Sequence, residues 1–116
     1  MECATRSLRT TMPIEDERLA TRQAELFAAL AHPKRLVILD CLLRREMSVS
    51  ELERCDRLVP ISQPGVSQHL IVLRQAGLVQ RRRRGRRVVY QAVRPSLSRL
   101  LSSSEILVRE RIRRLL

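Results

Sequence analysis

Apolar residues along this chain fall mostly at helical spacing, with one alternating stretch in the ninth decade of residues. From Ile14 to Ala31 they recur every three or four positions, which predicts a first helix. Leu19, Leu26 and Leu30 share one line of it, and Ala20, Ala24, Phe27 and Ala31 lie beside them. Pro33 cannot continue that helix, yet its fixed φ suits a first turn, so a second helix is expected from Pro33 to about Arg45. Its core stripe reads Leu36, Leu39 and Leu43, widened by Val37, Ile38 and Leu42. The stretch SELE, Ser50 to Glu53, matches a capping box and predicts a short third helix that ends before Pro60.

The fourth helix is read from ISQPGVSQHLIVLRQAGLV, residues 61–79. Ser62 can cap it, Pro64 fits its first turn, and Gly77 supplies the left-handed residue at its end. Val66, Leu70 and Leu73 make a narrow apolar seam, while Gln63, Ser67, Gln68 and Gln75 turn away from it. Leu78 to Arg83 and Arg86 to Val93 then alternate around a tight Arg-Gly turn, the pattern of a β-hairpin. A last helix from Pro95 to Leu116 carries Leu97, Leu101, Ser104, Val108, Ile112 and Leu115 at three- and four-residue spacing, weakened by the serines at 102–104. Residues 1–13 mix Ser, Thr and Arg without periodicity and are expected to form a flexible arm before a single domain over residues 14–116.

Charge narrows the class of partner. The formal charge of +11 comes from 23 basic residues, of which only Lys34 is lysine, so arginine supplies the rest. Arg81, Arg82, Arg83, Arg84, Arg86 and Arg87 crowd the hairpin. Guanidinium forks suit phosphates and guanine edges, so an acidic polymer is the expected partner. Phe27 and Tyr90 are the only aromatics, too few to stack the bases of a single strand. No nucleophile, base and acid fall into a catalytic set, and no GxxxxGK[ST] loop occurs, which argues against an enzyme. No apolar run reaches the roughly 18 residues of a membrane span, no secretory leader pattern opens the chain, and a cytoplasmic location is expected. Three cysteines, Cys3, Cys41 and Cys55, do not suggest a disulfide framework.

A helix that reads DNA needs small and amide side chains near its start, because these approach base edges and amides pair with adenine. Ser62, Gln63, Ser67 and Gln68 meet that need, and Pro64 and Gly65 keep the first turn thin. The segments LAHPKRLVILDCL, SVSELE, SQPGVSQHLIVLRQAGLV and RRRRGRRVVYQAV resemble the corresponding parts of the ArsR/SmtB family of bacterial repressors, over about Glu25 to Val93. The resemblance implies a mainly α winged helix-turn-helix, ordered α-α-α-α-β-β-α, that pairs its first and last helices into a homodimer. Such a dimer reads an inverted-repeat operator in double-stranded DNA. It further implies base or backbone contacts from Ser62, Gln63, Gly65, Ser67, Gln68, His69 and Arg74. The hairpin becomes a wing whose Arg83, Arg84, Arg86 and Arg87 follow the phosphates. His69 resembles the family's histidine that flanks the recognition helix, where it contacts phosphate or packs; His32 reads as a helix-boundary residue. Two rival classes are a basic module that binds RNA or protein, and a membrane-surface helix built on RERIRRLL.

Members of the family release DNA when a signal reaches a sensing site. Their ELCxCD motif is met here by ELERCDR, in which Cys55 matches the second cysteine and Glu53 replaces the first. The last helix lacks histidine, cysteine and aspartate, which removes the family's zinc site there and the second cysteine of its persulfide sensors. Thiol chemistry at Cys55 and Cys41 remains as the expected sensor. One form is a disulfide or polysulfide link; another is a soft ion such as arsenic, cadmium or lead held by Cys3, Cys41 and Cys55. A third reading makes Cys41 and Cys55 ordinary packing residues of a repressor that has no inducer. No cofactor is otherwise required.

Overall fold

The computed structural model describes residues 16–55, 63–93 and 95–115. Five helices and one hairpin follow in the expected order: α1 Glu17–Leu30, α2 Pro33–Arg44, α3 Val49–Glu53, α4 Gln63–Gln75, β1 Val79–Arg84, β2 Arg87–Ala92 and α5 Ser96–Leu115. The predicted beginning of the first helix at Ile14, the end of the third before Pro60 and the final Leu116 lie outside the described residues, as does the N-terminal arm. Asp16 caps α1, its carboxylate accepting from the backbone N–H of Arg18 at 2.9 Å.

α2 buries a different stripe from the one expected. Ile38, Leu39 and Leu42 are fully enclosed and Cys41 is buried, whereas Leu36 is exposed and Leu43 half-buried. The helix is wrapped by β2, α4 and α1, so its inner face is set by neighbours the local pattern cannot reveal. On α1 the same correction applies: Leu30 and Ala29 are buried, but Phe27 is 52% exposed.

The capping box of α3 is also shifted by two residues. Ser48, not Ser50, is the cap: its hydroxyl accepts from Glu51 N–H at 3.2 Å, and the Glu51 carboxylate accepts from Ser48 N–H at 2.8 Å. Both registers satisfy the SxxE pattern, and the preceding chain decides between them. Met47 exchanges two backbone bonds with Tyr90 of β2, 3.1 and 2.8 Å long, so the chain stays extended up to Ser48 and turns helical there.

α4 buries its seam as predicted, with Val66, Leu70 and Leu73 sealed from solvent. It ends in a Schellman motif: Gly77 at φ +77° donates to the Arg74 carbonyl, and Leu78 donates to that of Leu73, both at 2.9 Å. The hairpin pairs Val79 with Ala92 through Arg84 with Arg87: the first strand lies one residue later than the sequence suggested, and the second is one residue shorter at each end. Gly85, at φ +64°, opens the two-residue turn that Arg86 completes, and only that first position needs positive φ.

α5 runs through the three serines without a break, the Ser104 hydroxyl donating back to the Leu101 carbonyl at 2.8 Å. Only its first turns meet the core, through Leu97, Leu100 and Leu101. Ile106, Leu107, Val108, Ile112 and Leu115 are exposed.

Candidate nucleic-acid interface and thiol pair

The buried seam of α4 fixes which side of the helix faces outward. Gln68, Ile71, Arg74 and Gln75 are exposed, Ser67 and Gly65 half-buried. Ser62 lies outside the described residues, as does the side chain of Gln63, although Gln63 opens the helix. Gly77 then turns the chain directly into the hairpin, so the last turn of α4 and the first strand share one surface. Arg74 lines a shallow groove of about 270 Å³ together with Arg81, Arg82 and Arg83. Four guanidinium groups from two elements thus converge where an acidic chain could lie.

The wing arginines are not equivalent. Arg84 donates to the Glu46 carboxylate at 3.0 Å and Arg87 to Glu51 at 2.7 Å. Among the described residues, Arg83 and Arg86 have no such carboxylate partner, and both are exposed. Glu51 joins the two structures: the same oxygen that closes the α3 cap also receives Arg87. The Ser48 N–H, followed by the Arg87 and Arg45 charges, holds its carboxyl below the usual carboxylate range against the opposing effect of burial. These acidic partners were missed by sequence reasoning, because nothing in the separation of Glu46 from Arg84 signals their contact.

His69 sits at a junction of helices. Its Nδ1 accepts from Arg35 Nε at 3.1 Å, and its ring stands 4.5 Å from that of His32, centroid to centroid. Arg35 also donates to the Ala29 carbonyl in the last turn of α1, at 3.1 Å. Burial, then the neighbouring His32 and Arg35, lowers the His69 pKa from its ordinary value. His32 is the boundary residue expected, capping α2 by accepting from Lys34 N–H.

Cys41 on α2 and Cys55, just beyond α3, bring their sulfurs within 3.6 Å of each other. Both are thiols; Cys41 is buried and Cys55 half-buried. Two thiolates on one tetrahedral ion stand about 3.8 Å apart, given metal–sulfur bonds of about 2.3 Å, so the pair fits either a soft ion or a disulfide. Cys3, the proposed third ligand, lies outside the described residues. Among the described residues no group of three or more histidine, cysteine or acidic side chains could hold a metal ion.

Residues 32–81 match the model of the bacterial regulatory protein arsR family. Over 89 residues the chain is 42% identical to the uncharacterized HTH-type transcriptional regulator Rv0081 of Mycobacterium tuberculosis, covering 77% of this chain and 76% of that one. The crystal structure of Rv0081 superposes with a TM-score of 0.74, covering 87% of this chain and all of that one, at 38% identity. The biofilm growth-associated repressor of Agrobacterium fabrum is 40% identical over 87 residues, 75% of this chain and 72% of that protein. A homodimeric winged helix-turn-helix DNA-binding domain from Mycobacterium bovis, 26% identical, superposes with a TM-score of 0.72 over 88% of this chain and 92% of that one. These relatives are transcriptional regulators, not enzymes, and the hairpin following α4 has the place of their wing. The chain therefore belongs to the ArsR family of winged helix-turn-helix transcriptional repressors.

Proposed function

We propose that the protein is a homodimeric repressor that binds an inverted-repeat operator and is released by chemistry at the Cys41 and Cys55 thiols. The observation that carries the DNA reading is the exposed face of α4, which bears Gln68 and Arg74, with Arg74 lining one groove with the β1 arginines. Ser62, Gln63, Gly65, Ser67 and Gln68 would enter the major groove, while Arg74, Arg83, Arg84, Arg86 and Arg87 follow the backbone. His69 flanks that surface. The uncovered apolar side chains of α5, with Phe27 of α1, support pairing of two copies through these helices. No helix among the described residues is long and apolar enough to cross a membrane, and the place of action is the cytoplasm, where the DNA lies.

The 3.6 Å sulfur separation supports the thiol reading. With a hydroperoxide as oxidant, the more exposed Cys55 attacks the peroxide oxygen, giving a sulfenic acid and an alcohol. Cys41 then attacks that sulfur, and water leaves as the disulfide forms. The bond would tie the end of α3 to α2, beside the segment that leads into α4. A soft ion could bridge the same two sulfurs with Cys3 as third ligand.

Selection from a pool of random DNA duplexes with reduced protein tests the reading. Enrichment of an inverted repeat bound by two protomers is expected. Enrichment of no duplex, or equal competition by structured RNA, would identify a general basic module instead. Diamide or peroxide should then release the selected duplex with a loss of two hydrogens from the protein mass, and Cys55→Ser should abolish both effects.

A further inference from the structure

Arg35 is placed to control how α4 presents its outward face. The core seam of Val66, Leu70 and Leu73 fixes which side of that helix faces inward, and because apolar contacts are non-directional, a directional bond on its flank can set the small rotation that remains. The Arg35–His69 bond is directional and lies on the flank, one residue and about 100° from Leu70. Arg35 Nη1 donates to the Ala29 carbonyl, so a single guanidinium links the end of α1, the first turn of α2 and the middle of α4.

The bond also dictates a protonation state. A histidine nitrogen that accepts from a guanidinium carries no proton, so His69 is neutral with its hydrogen on Nε2. A proton added at Nδ1 would face the Arg35 N–H, donor against donor, beside a permanent positive charge. The groups that bear on His69 are His32, which caps α2, and Arg35 in its first turn, and burial acts in the same direction. Glu51 of α3, Arg54 just beyond it and Arg81 of β1 line a different groove, and Arg22 and Glu25 of α1 line the groove that contains Arg35.

We propose that Arg35 and His69 form a latch that sets the rotation of the recognition helix, and that protonating His69 opens it, so that operator binding weakens as the solution is acidified. This rests on the DNA-binding reading above. It makes Arg35 a positioning residue, and it reverses the sign expected of a histidine that touches phosphate. Such a histidine would bind every duplex more tightly when charged. The latch instead predicts a loss confined to the specific duplex, setting in below the ordinary histidine range.

The test follows the affinity of fluorescent duplexes, one selected by the reduced protein at about pH 7.5 and one of random sequence, down to about pH 5.5. Affinity for the selected duplex should fall severalfold, bounded at about tenfold per protomer because one proton is taken up by a group that titrates no higher than the ordinary histidine value of about 6.5. Affinity for the random duplex should hold or rise. His69→Asn, whose Oδ1 can accept from Arg35 without titrating, should lose the fall, its affinity at about pH 5.5 matching its own at about pH 7.5. Arg35→Met should bind weakly and without the fall, and His32→Asn, which preserves a cap, should retain it. Tighter binding of the selected duplex on acidification, or an undiminished fall in His69→Asn, overturns the proposal. NMR of the imidazole nitrogens reads the latch without DNA: a proton on Nδ1 at about pH 7.5 would also overturn it. If no duplex can be selected, the DNA reading fails, while the nitrogen spectrum still decides whether the latch exists.

Discussion

Replacing Arg83 and Arg86 by alanine separates wing arginines that are available to phosphate from those already engaged. Neither has a carboxylate partner among the described residues, whereas Arg84 and Arg87 hold Glu46 and Glu51 at 3.0 and 2.7 Å. If each meets one phosphate, the double substitution removes four contacts from a dimer. At about 0.9 counterions per contact, the plot of log affinity against log salt should flatten by about 3.6. Between about 50 and 200 mM salt the native protein should therefore lose about 150-fold more affinity than the variant. Because phosphate contacts carry no sequence information, a random duplex serves, titrated by fluorescence anisotropy at several salt concentrations. Native and variant lines of equal slope would refute the reasoning and return these arginines to the role of a solvated surface.

Other substitutions test neighbouring parts of the structure. Glu46→Gln frees Arg84 and should tighten binding to any duplex by up to about fivefold per protomer, as an exposed ion pair is worth roughly 0.2–1 kcal/mol; equal binding curves would count against it. Leu70→Ala should cost about 2–5 kcal/mol in denaturant unfolding, because the side chain is 1% exposed and its neighbours cannot refill the space. Glu51→Gln should flatten the acid limb of the stability curve. The native carboxyl is held below its ordinary value, so its contribution is full above that value and lost as pH falls through the lower folded one, which thermal melts across acid pH will follow. Ile112→Arg, at an exposed position on α5, should shift the sedimentation coefficient to that of a monomer while leaving the helical spectrum unchanged.

The sequence was most informative where a single local rule governs. Gly77 marked the end of α4, and Val66, Leu70 and Leu73 marked its inner side, because capping geometry and helical period are both local. Two SxxE boxes overlap around Ser50, and the choice between them depends on Met47 pairing with Tyr90, a contact across the fold. The face of α2 was misjudged for the same reason. It carries apolar residues on nearly every side, so only its neighbours decide that Ile38 is enclosed and Leu36 is not. In the site, the basic hairpin and the polar side of α4 were legible. The proximity of Cys41 to Cys55 and the link from Arg35 to His69 were not, since residues 14 and 34 positions apart meet only after the helices pack.

The most direct test replaces Gln68 by alanine and compares binding to the selected inverted repeat with binding to a random duplex. A side chain that reads a base edge is worth about 1–3 kcal/mol of discrimination. The variant should therefore lose roughly five- to 150-fold on the selected duplex, with its random-duplex affinity unchanged and one base position of the repeat relaxed. Undiminished preference for the repeat, or an equal loss on both duplexes, would contradict the placement of this face in the major groove.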